Sequence, residues 1–289
     1  MKPPRVRKVS PEFIHFMTLP TNDLRVRAGR LGGMSPLILH VPHASSLIPA
    51  TDREDFLLGD GELAAEGRRL VDAHTDTLFG AERWPGAVLA AKVSRLVVDV
   101  ERFADDAREP CARFGMGATY LRTSEGRPLR ALSAARRAAL LESYYVPHHA
   151  TADRLAKERL ATRGRCLVLD AHSYPLGPLP TEVAAGRPEI GLGTDAFHTC
   201  PELRDLLVGF FRTRGYEVAV DAPFTGAFVP NACFGADARC QAIMVEVRRD
   251  LYMDESTGER HGGFDRVRAD LVALQPLLAD FAGRAVWPT

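Results

Sequence analysis

The sequence predicts an α/β fold: a single domain in which a mostly parallel central sheet is flanked by helices. Apolar runs too short for ordinary helices alternate along the chain with longer segments of helical periodicity, as in folds built from strand–helix–strand units. Polar side chains directly follow several of these runs, which is where parallel sheets have their ligand-binding crevices. The predicted strands cover residues 37–41, 87–93, 96–100, 166–170, 216–220 and 242–247.

The helical segments predicted between these strands cover residues 62–78, 133–163, 202–214 and 265–282. The second of them is interrupted near Pro147, and the third ends at Gly215. Residues 1–33 are rich in Pro, Arg and Gly and are expected to form an N-terminal extension, so that the folded domain comprises residues 34–289. Two long loops, residues 103–127 and 174–195, are expected to cover a functional site.

The composition is that of an ordinary soluble globular protein, with 46% apolar and 26% charged residues. Lys plus Arg and Asp plus Glu number 37 each, so no excess of positive charge would attract nucleic acid or an anionic membrane. Five cysteines without a C-x-x-C pair argue against a disulfide framework or a thiolate zinc site and favour the reducing cytoplasm. We therefore expect a small-molecule or peptide substrate, and no segment is long enough to be a membrane span.

Histidine and carboxylate side chains at the predicted strand ends indicate a metal-dependent hydrolase. His43 and His172 follow two different strands, and three-ligand zinc hydrolases combine such ligands with a separate carboxylate base. Asp72 and Asp76 are candidates for a carboxylate ligand, although spacing alone does not choose between them or distinguish either from a solvated helix face. Glu246, at the end of an apolar strand, is the candidate general base.

Less specific interpretations exist for several of these positions. A histidine after a strand is more often a hydrogen-bonded residue than a metal ligand, and we interpret His40 in this way. Asp170 could orient His172, or it could simply cap the following loop. Arg95 and Arg102 would ordinarily be surface residues that pair with nearby carboxylates.

A series of short motifs follows one order along residues 37–255. The motifs are Val41-Pro-His-Ala-Ser45 with Ile48-Pro49, Asp72-x-His74, Ser94-Arg95, Asp99-x-x-Arg102, Pro147-x-His149, Asp170-Ala-His172-Ser173, Phe224-x-Gly226, and Glu246 with Tyr252-Met253. Together they resemble the N-formylglutamate amidohydrolase family. That family is similar to the zinc carboxypeptidases and aspartoacylases, which implies a phosphorylase/hydrolase-like fold of the zinc-exopeptidase kind.

The resemblance implies a zinc-dependent deformylase that hydrolyses N-formyl-L-glutamate to formate and L-glutamate, in the last step of one route of histidine degradation. One Zn2+ per chain would be bound by His43, Asp72 and His172. The residues implied to act on the substrate are Glu246 as general base, His149 near the oxyanion, Arg95 and Arg102 on the substrate carboxylates, and Asp99, Ser173 and Gly226 beside them. The implied partner is a small acidic N-acyl amino acid; the sequence does not specify an oligomeric state.

Two positions depart from the family pattern. Glu101 stands where the D-x-N-R segment has an asparagine, and Ala227 follows Gly226 where a second glycine is expected. These differences leave two alternatives open. One is a zinc amidase or peptidase that acts on another small N-acyl or peptide amide, and the other is a catalytically inactive relative that binds a metabolite.

Overall fold

A seven-stranded sheet forms the centre of the fold in the computed structural model, which describes residues 26–27, 35–178 and 186–284. The strands are β1 (Val26–Arg27), β2 (Leu37–Val41), β3 (Ala87–Ala90), β4 (Cys166–Tyr174), β5 (Ile190–Gly193), β6 (Val218–Val220) and β7 (Cys240–Arg248). In the order β1-β3-β2-β4-β7-β5-β6, neighbours are parallel except for the β1–β3 and β5–β7 pairs. The predicted α/β fold with a mostly parallel sheet is confirmed. Apart from β1, the predicted N-terminal extension lies outside the described residues.

Helices pack on both faces of this sheet. They are α1 (Ala50–Arg53), α2 (Asp60–Leu70), α3 (Thr75–Leu78), α4 (Ala134–Leu140), α5 (Val146–Arg163), α6 (Pro201–Arg212), α7 (Phe264–Val272) and α8 (Leu274–Gly283). Side chains such as Leu167 and Leu169 of β4 share one core with α6, α7 and α8, whereas Val168 shares another with α5. A π-helical turn, Leu141–Tyr145, separates α4 from α5 close to the predicted interruption. Among the helices described, none has the length and apolarity needed to cross a membrane.

Residues 96–100 were predicted as a strand, and this prediction is wrong. The strand of this region is β3, after which the chain leaves the sheet. Leu96, Val97 and Val98 are buried against α2 and against residues of the 103–127 loop. The backbone N–H of Asp99 donates to the carbonyl of Ala118 at 2.9 Å rather than to a neighbouring strand. A short apolar run can fill a core in several backbone conformations, so its hydrophobicity predicted burial but not structure.

The helix predicted over residues 62–78 is divided into α2 and α3. The chain becomes extended at Val71, with ψ of 134°, and turns at His74, whose φ is 68°. Between these residues the N–H of Asp72 donates to the carbonyl of His43 at 3.0 Å. The interruption therefore ties Asp72 to the segment that follows β2. An apolar stripe continues through the break, which is why periodicity alone predicted one helix.

Candidate active site

A cavity of about 490 Å³ opens beside the C-terminal ends of β2, β4 and β7. Its polar wall includes His43, Asp72, Glu101, His172 and Glu246. Apolar wall residues come from the loop over residues 103–127, namely Phe103, Phe114, Met116 and Tyr120. This loop covers the site, as the sequence predicted; of the second predicted loop, residues 179–185 lie outside the described part of the chain.

The alternation of side chains along parallel strands gathers several polar residues on one face of the sheet. His40 of β2 lies opposite Asp170 of β4, and His172 of β4 lies opposite Glu246 of β7. These four side chains lie on the same face of the sheet. The apolar residues at the opposite end of that face pack against α5. Strand register therefore brings His172 and Glu246 to the same wall of the cavity.

His43 is oriented by a buried carboxylate. Its Nε2 lies 2.8 Å from Oδ1 of Asp99. Burial would raise the pKa of Asp99, but Arg95 and His43 outweigh burial and hold that pKa well below its usual value, so the carboxylate is ionised and Nε2 donates. The Nδ1 atom of His43 is buried and has no hydrogen-bond partner among the described residues. When the ring is neutral and Nε2 carries the proton, the lone pair of Nδ1 is available to a ligand.

His172 has a similar arrangement. Its Nε2 lies 3.1 Å from Oδ1 of Asp170 and 3.2 Å from Oε1 of Glu101, and its Nδ1 lies 3.0 Å from Oδ2 of Asp72. Asp170 also contacts Nδ1 of His40 at 2.8 Å, so it orients buried imidazoles rather than capping a loop. Burial would lower the pKa of His172, but Glu101 and Asp170 outweigh it and raise this pKa well above its usual value. The field at the site therefore favours a positive charge.

Asp72 faces the Nδ1 atoms of both histidines. Its Oδ2 lies 3.0 Å from Nδ1 of His172 and 3.6 Å from Nδ1 of His43, and its Oδ1 accepts from Arg249 at 3.0 Å. Burial would raise the pKa of Asp72, but the two histidines hold it well below its usual value. Asp76 is exposed and accepts hydrogen bonds from the backbone and hydroxyl of the following residue. Of the two aspartates considered from the sequence, Asp72 is the one beside the histidines.

His43, His172 and Glu101 offer one donor atom each within 4.8 Å of one another, and Glu101 faces the Nε2 atoms of both histidines. His40, Glu101 and Asp170 form a second group with the same spacing. A different arrangement, the Nδ1 group, consists of Oδ2 of Asp72 and the Nδ1 atoms of His172 and His43, which lie 3.0 and 3.6 Å from that oxygen. We favour the Nδ1 group because each Nε2 already faces a buried aspartate, the contact that metal-binding histidines commonly make through their second nitrogen. The unpartnered Nδ1 of His43 fits the same group.

Glu246 lies on the cavity wall as an unusually basic carboxylate. Burial raises the pKa of Glu246 to about 8; Asp72 and Glu101 act in the same direction, whereas His172 and Arg249 oppose it. Its Oε2 is buried and has no hydrogen-bond partner in the described part of the protein. A carboxylate in this state is able to accept and return a proton near neutral pH, which suits the general base predicted from the sequence.

Two arginines on the cavity wall are already paired with buried aspartates. Arg95, whose side chain is 13% exposed, directs Nε and Nη2 at Oδ2 of Asp99, at 3.1 and 2.8 Å. Arg249 is buried and donates to Asp72 and Ser173. Arg95 was predicted to bind substrate, whereas Arg249 was missed, although an arginine directly after a buried strand was a usable signal.

Two other arginines on the wall remain more accessible. The side chain of Arg102 is 31% exposed, and its nearest carboxylates, on Asp99 and Glu109, are 3.7 and 3.6 Å away. Its Nε has no hydrogen-bond partner among the described residues. Arg69, at the end of α2, is 45% exposed and pairs with Glu125 at 2.6 Å. Nothing in the sequence distinguished Arg69 from an ordinary helix-surface arginine.

The remaining predicted site residues occupy different positions. Ser173 and Gly226 line the cavity, and Gly226 has a φ of 90°, where glycine is favoured. Asp99 lies behind the histidines and is not part of the cavity wall. His149 is also absent from the wall, and its Nε2 donates to the carbonyl of Val100 at 2.8 Å. These contacts give no support to the prediction that His149 stabilises an oxyanion.

Known proteins resemble this chain in both sequence and fold. The model of the N-formylglutamate amidohydrolase family matches residues 35–253. N-formylglutamate deformylase from Pseudomonas aeruginosa is 32% identical over 235 residues, which cover 77% of this chain and 84% of the relative.

Solved structures show the same relationship. The crystal structure of N-formylglutamate amidohydrolase from Ralstonia eutropha JMP134 is similar with a TM-score of 0.79 at 26% identity, covering 90% of this chain and 98% of that one. A gene product of Agrobacterium tumefaciens shares the fold, with a TM-score of 0.58 at 20% identity over 86% of this chain and 89% of the other. The resemblance found in the motifs is confirmed, and the chain belongs to the N-formylglutamate amidohydrolase family.

Proposed function

We propose that this chain is a zinc-dependent amidohydrolase that converts N-formyl-L-glutamate and water into formate and L-glutamate. Membership of the family and the similarity to the Pseudomonas aeruginosa deformylase support this substrate and a place in histidine degradation. The observation that carries the metal dependence is that Nδ1 of His43 has no hydrogen-bond partner among the described residues and lies 3.6 Å from Oδ2 of Asp72, the oxygen that also lies 3.0 Å from Nδ1 of His172. Five free thiols support a reducing compartment such as the cytoplasm.

His43, Asp72 and His172 would hold the zinc ion. Two imidazole nitrogens and one carboxylate are a donor set that three-ligand zinc sites use. Asp99 and Asp170 would fix the orientation of the two rings by accepting from their Nε2 atoms. When bound, the ion supplies Lewis-acid chemistry that polarises the formyl carbonyl and lowers the pKa of the attacking water.

Glu246 would move the proton during hydrolysis. Its unpartnered Oε2 would accept a proton from the attacking water and then deliver it to the nitrogen that leaves as the amine of glutamate. A pKa of about 8 in the metal-free protein places this carboxyl near neutrality, and a nearby cation would lower it and favour the ionised form that a base requires.

Arg102 would bind a substrate carboxylate. It lines the cavity with a side chain that is 31% exposed, and a planar guanidinium matches a carboxylate in bidentate geometry. Arg95 has the same chemistry, but its contacts with Asp99 lead us to propose that it acts by holding that aspartate behind His43. Ser173 would contribute to the wall against which the substrate lies.

Formate release from N-formyl-L-glutamate tests this function. The purified protein is assayed as isolated, after removal of metal by a chelator, and after reloading with one equivalent of zinc. Release should disappear on chelation and return with zinc, and Glu246→Gln should keep zinc while losing about 10²- to 10⁴-fold in rate. Zinc binding without formate release would favour another N-acyl or peptide amide as the substrate. Absence of both would favour a metabolite-binding relative.

A further inference from the structure

Resting on this function, we propose that Arg69 binds the γ-carboxylate of the substrate, while Arg102 binds its α-carboxylate. N-formyl-L-glutamate carries two carboxylates, and each needs a cationic partner when the cavity removes it from water. Two of the described arginines on the wall, Arg95 and Arg249, are already occupied by Asp99 and Asp72. The other two, Arg69 and Arg102, keep accessible guanidinium groups.

The backbone around Arg69 is fixed to the active site. The carbonyl of Arg69 accepts a hydrogen bond from Nη1 of Arg249 at 2.7 Å, and the carbonyl of Leu70 accepts one from Nη1 of Arg95 at 3.2 Å. The same two arginines hold Asp72 and Asp99. The end of α2 is therefore positioned relative to the histidines, and the side chain of Arg69 extends from a fixed point.

The present partner of Arg69 can be exchanged for a substrate. Both residues of the Arg69–Glu125 ion pair are exposed to solvent. An ion pair between exposed side chains contributes little to the free energy of unfolding. Glu125 also lies 3.7 Å from Arg127, so it retains a cationic partner when Arg69 turns to a carboxylate. Arg69 also lies 3.6 Å from the buried Glu66, which keeps two hydrogen bonds from Ser124 when Arg69 turns away. Glu125 and Glu66 would thus each keep a partner when a dicarboxylate binds.

The assignment of the two carboxylates follows from the position of each arginine. Arg102 adjoins Glu101, whose carboxylate contacts His172, and Arg102 lies 3.7 Å from the aspartate that holds His43. It is therefore close to the reacting amide, beside which the α-carboxylate is attached. Arg69 is more exposed and begins at the helix end, which suits the more distant γ-carboxylate.

Substrate specificity of an Arg69→Met variant tests the proposal. The zinc-loaded wild type and variant are assayed with N-formyl-L-glutamate, with N-formyl-L-glutamine, which lacks the γ charge, and with the α-amide of N-formylglutamate. The variant should lose about ten- to hundredfold in kcat/KM on N-formyl-L-glutamate and on the α-amide, mainly through KM, and change little on N-formyl-L-glutamine. Equal losses on all three substrates, or a loss confined to the two that carry an α-carboxylate, would overturn the assignment.

Arg154→Met is the matched control, because Arg154 is similarly exposed, pairs with Glu158 at 2.6 Å, and is not part of the cavity wall. It should behave as the wild type on every substrate. Binding of glutarate, a dicarboxylate without an amide, is also measured by calorimetry. This measurement does not depend on turnover. Arg69→Met should weaken glutarate binding at least tenfold, and unchanged affinity would contradict a role in carboxylate binding. If the wild type neither turns over N-formyl-L-glutamate nor binds glutarate, both the function and the role of Arg69 are wrong.

Discussion

Nε2 of His43 donates to Oδ1 of Asp99 at 2.8 Å, and this contact leaves Nδ1 of the same ring buried, with no hydrogen-bond partner in residues 35–178 and 186–284. Asp99 is in turn held by two hydrogen bonds from Arg95 and by one from the hydroxyl of Tyr120 at 2.7 Å. The orientation of the ring is thus fixed, with Nε2 facing Asp99 and Nδ1 facing the candidate metal site. This asymmetry determines which atoms we assign as ligands.

Asp170→Asn should weaken zinc binding by about 10- to 100-fold, because the residue that orients His172 through Nε2 would no longer carry a negative charge. Competition with a chromophoric chelator measures the affinity. Asp237→Asn is the control, since Asp237 pairs with Arg239 outside the cavity. Equal zinc affinity of the Asp170 variant and the wild type would show that Asp170 does not orient a ligand.

Arg95→Met and Arg102→Met should separate a structural arginine from a substrate-binding one. Removing Arg95 leaves the fully buried Asp99 without its principal cationic partner, which should lower the free energy of unfolding by about 3–5 kcal/mol. Removing the half-exposed Arg102 should change stability little and raise KM for N-formyl-L-glutamate. Urea denaturation and steady-state kinetics of both variants check this, and equal stabilities would contradict it.

Glu246→Gln should change how the stability of the metal-free protein depends on pH. The pKa of Glu246 is about 8 in the folded protein, against an ordinary value of 4.5. Between these values the folded state binds more protons than the unfolded state, so the free energy of unfolding of the wild type falls as pH rises. The glutamine variant lacks this titrating carboxyl. Its free energy of unfolding relative to that of the wild type should therefore increase as the pH rises from 4.5 to about 8. Denaturation of both proteins at several pH values measures the difference between their free energies of unfolding. A difference that does not change with pH would show that Glu246 has an ordinary pKa.

The sequence predicted those parts of the site that depend on strand ends. His43 follows β2, and His172 and Glu246 lie near the ends of β4 and β7, which extend beyond the predicted strand ends; parallel strands bring such positions to one edge. The motifs also identified Asp99, but a motif shows that a residue type matters and not what it contacts. Asp99 was therefore assigned to the substrate, although it lies behind His43.

Features that depend on tertiary packing were not predictable in the same way. Asp72 reaches the histidines only because α2 ends at Leu70 and the chain turns before α3. Arg69 and Arg249 acquire their positions from contacts between segments far apart in sequence, and local patterns carry no information on such contacts. Leu96 to Val98 filled a core without joining the sheet for the same reason.

In the proposed site a metal ion is held on the Nδ1 side of His43 and His172 by Asp72, and not on the Nε2 side by Glu101. Zinc stoichiometry of Asp72→Asn and Glu101→Gln, determined by elemental analysis after gel filtration, tests it most directly, with Asp76→Asn as the control for a neighbouring exposed aspartate. We predict that Glu101→Gln and Asp76→Asn retain zinc as the wild type does, while Asp72→Asn retains little. Full zinc in Asp72→Asn together with its loss in Glu101→Gln would contradict the account and assign the metal to the opposite nitrogens.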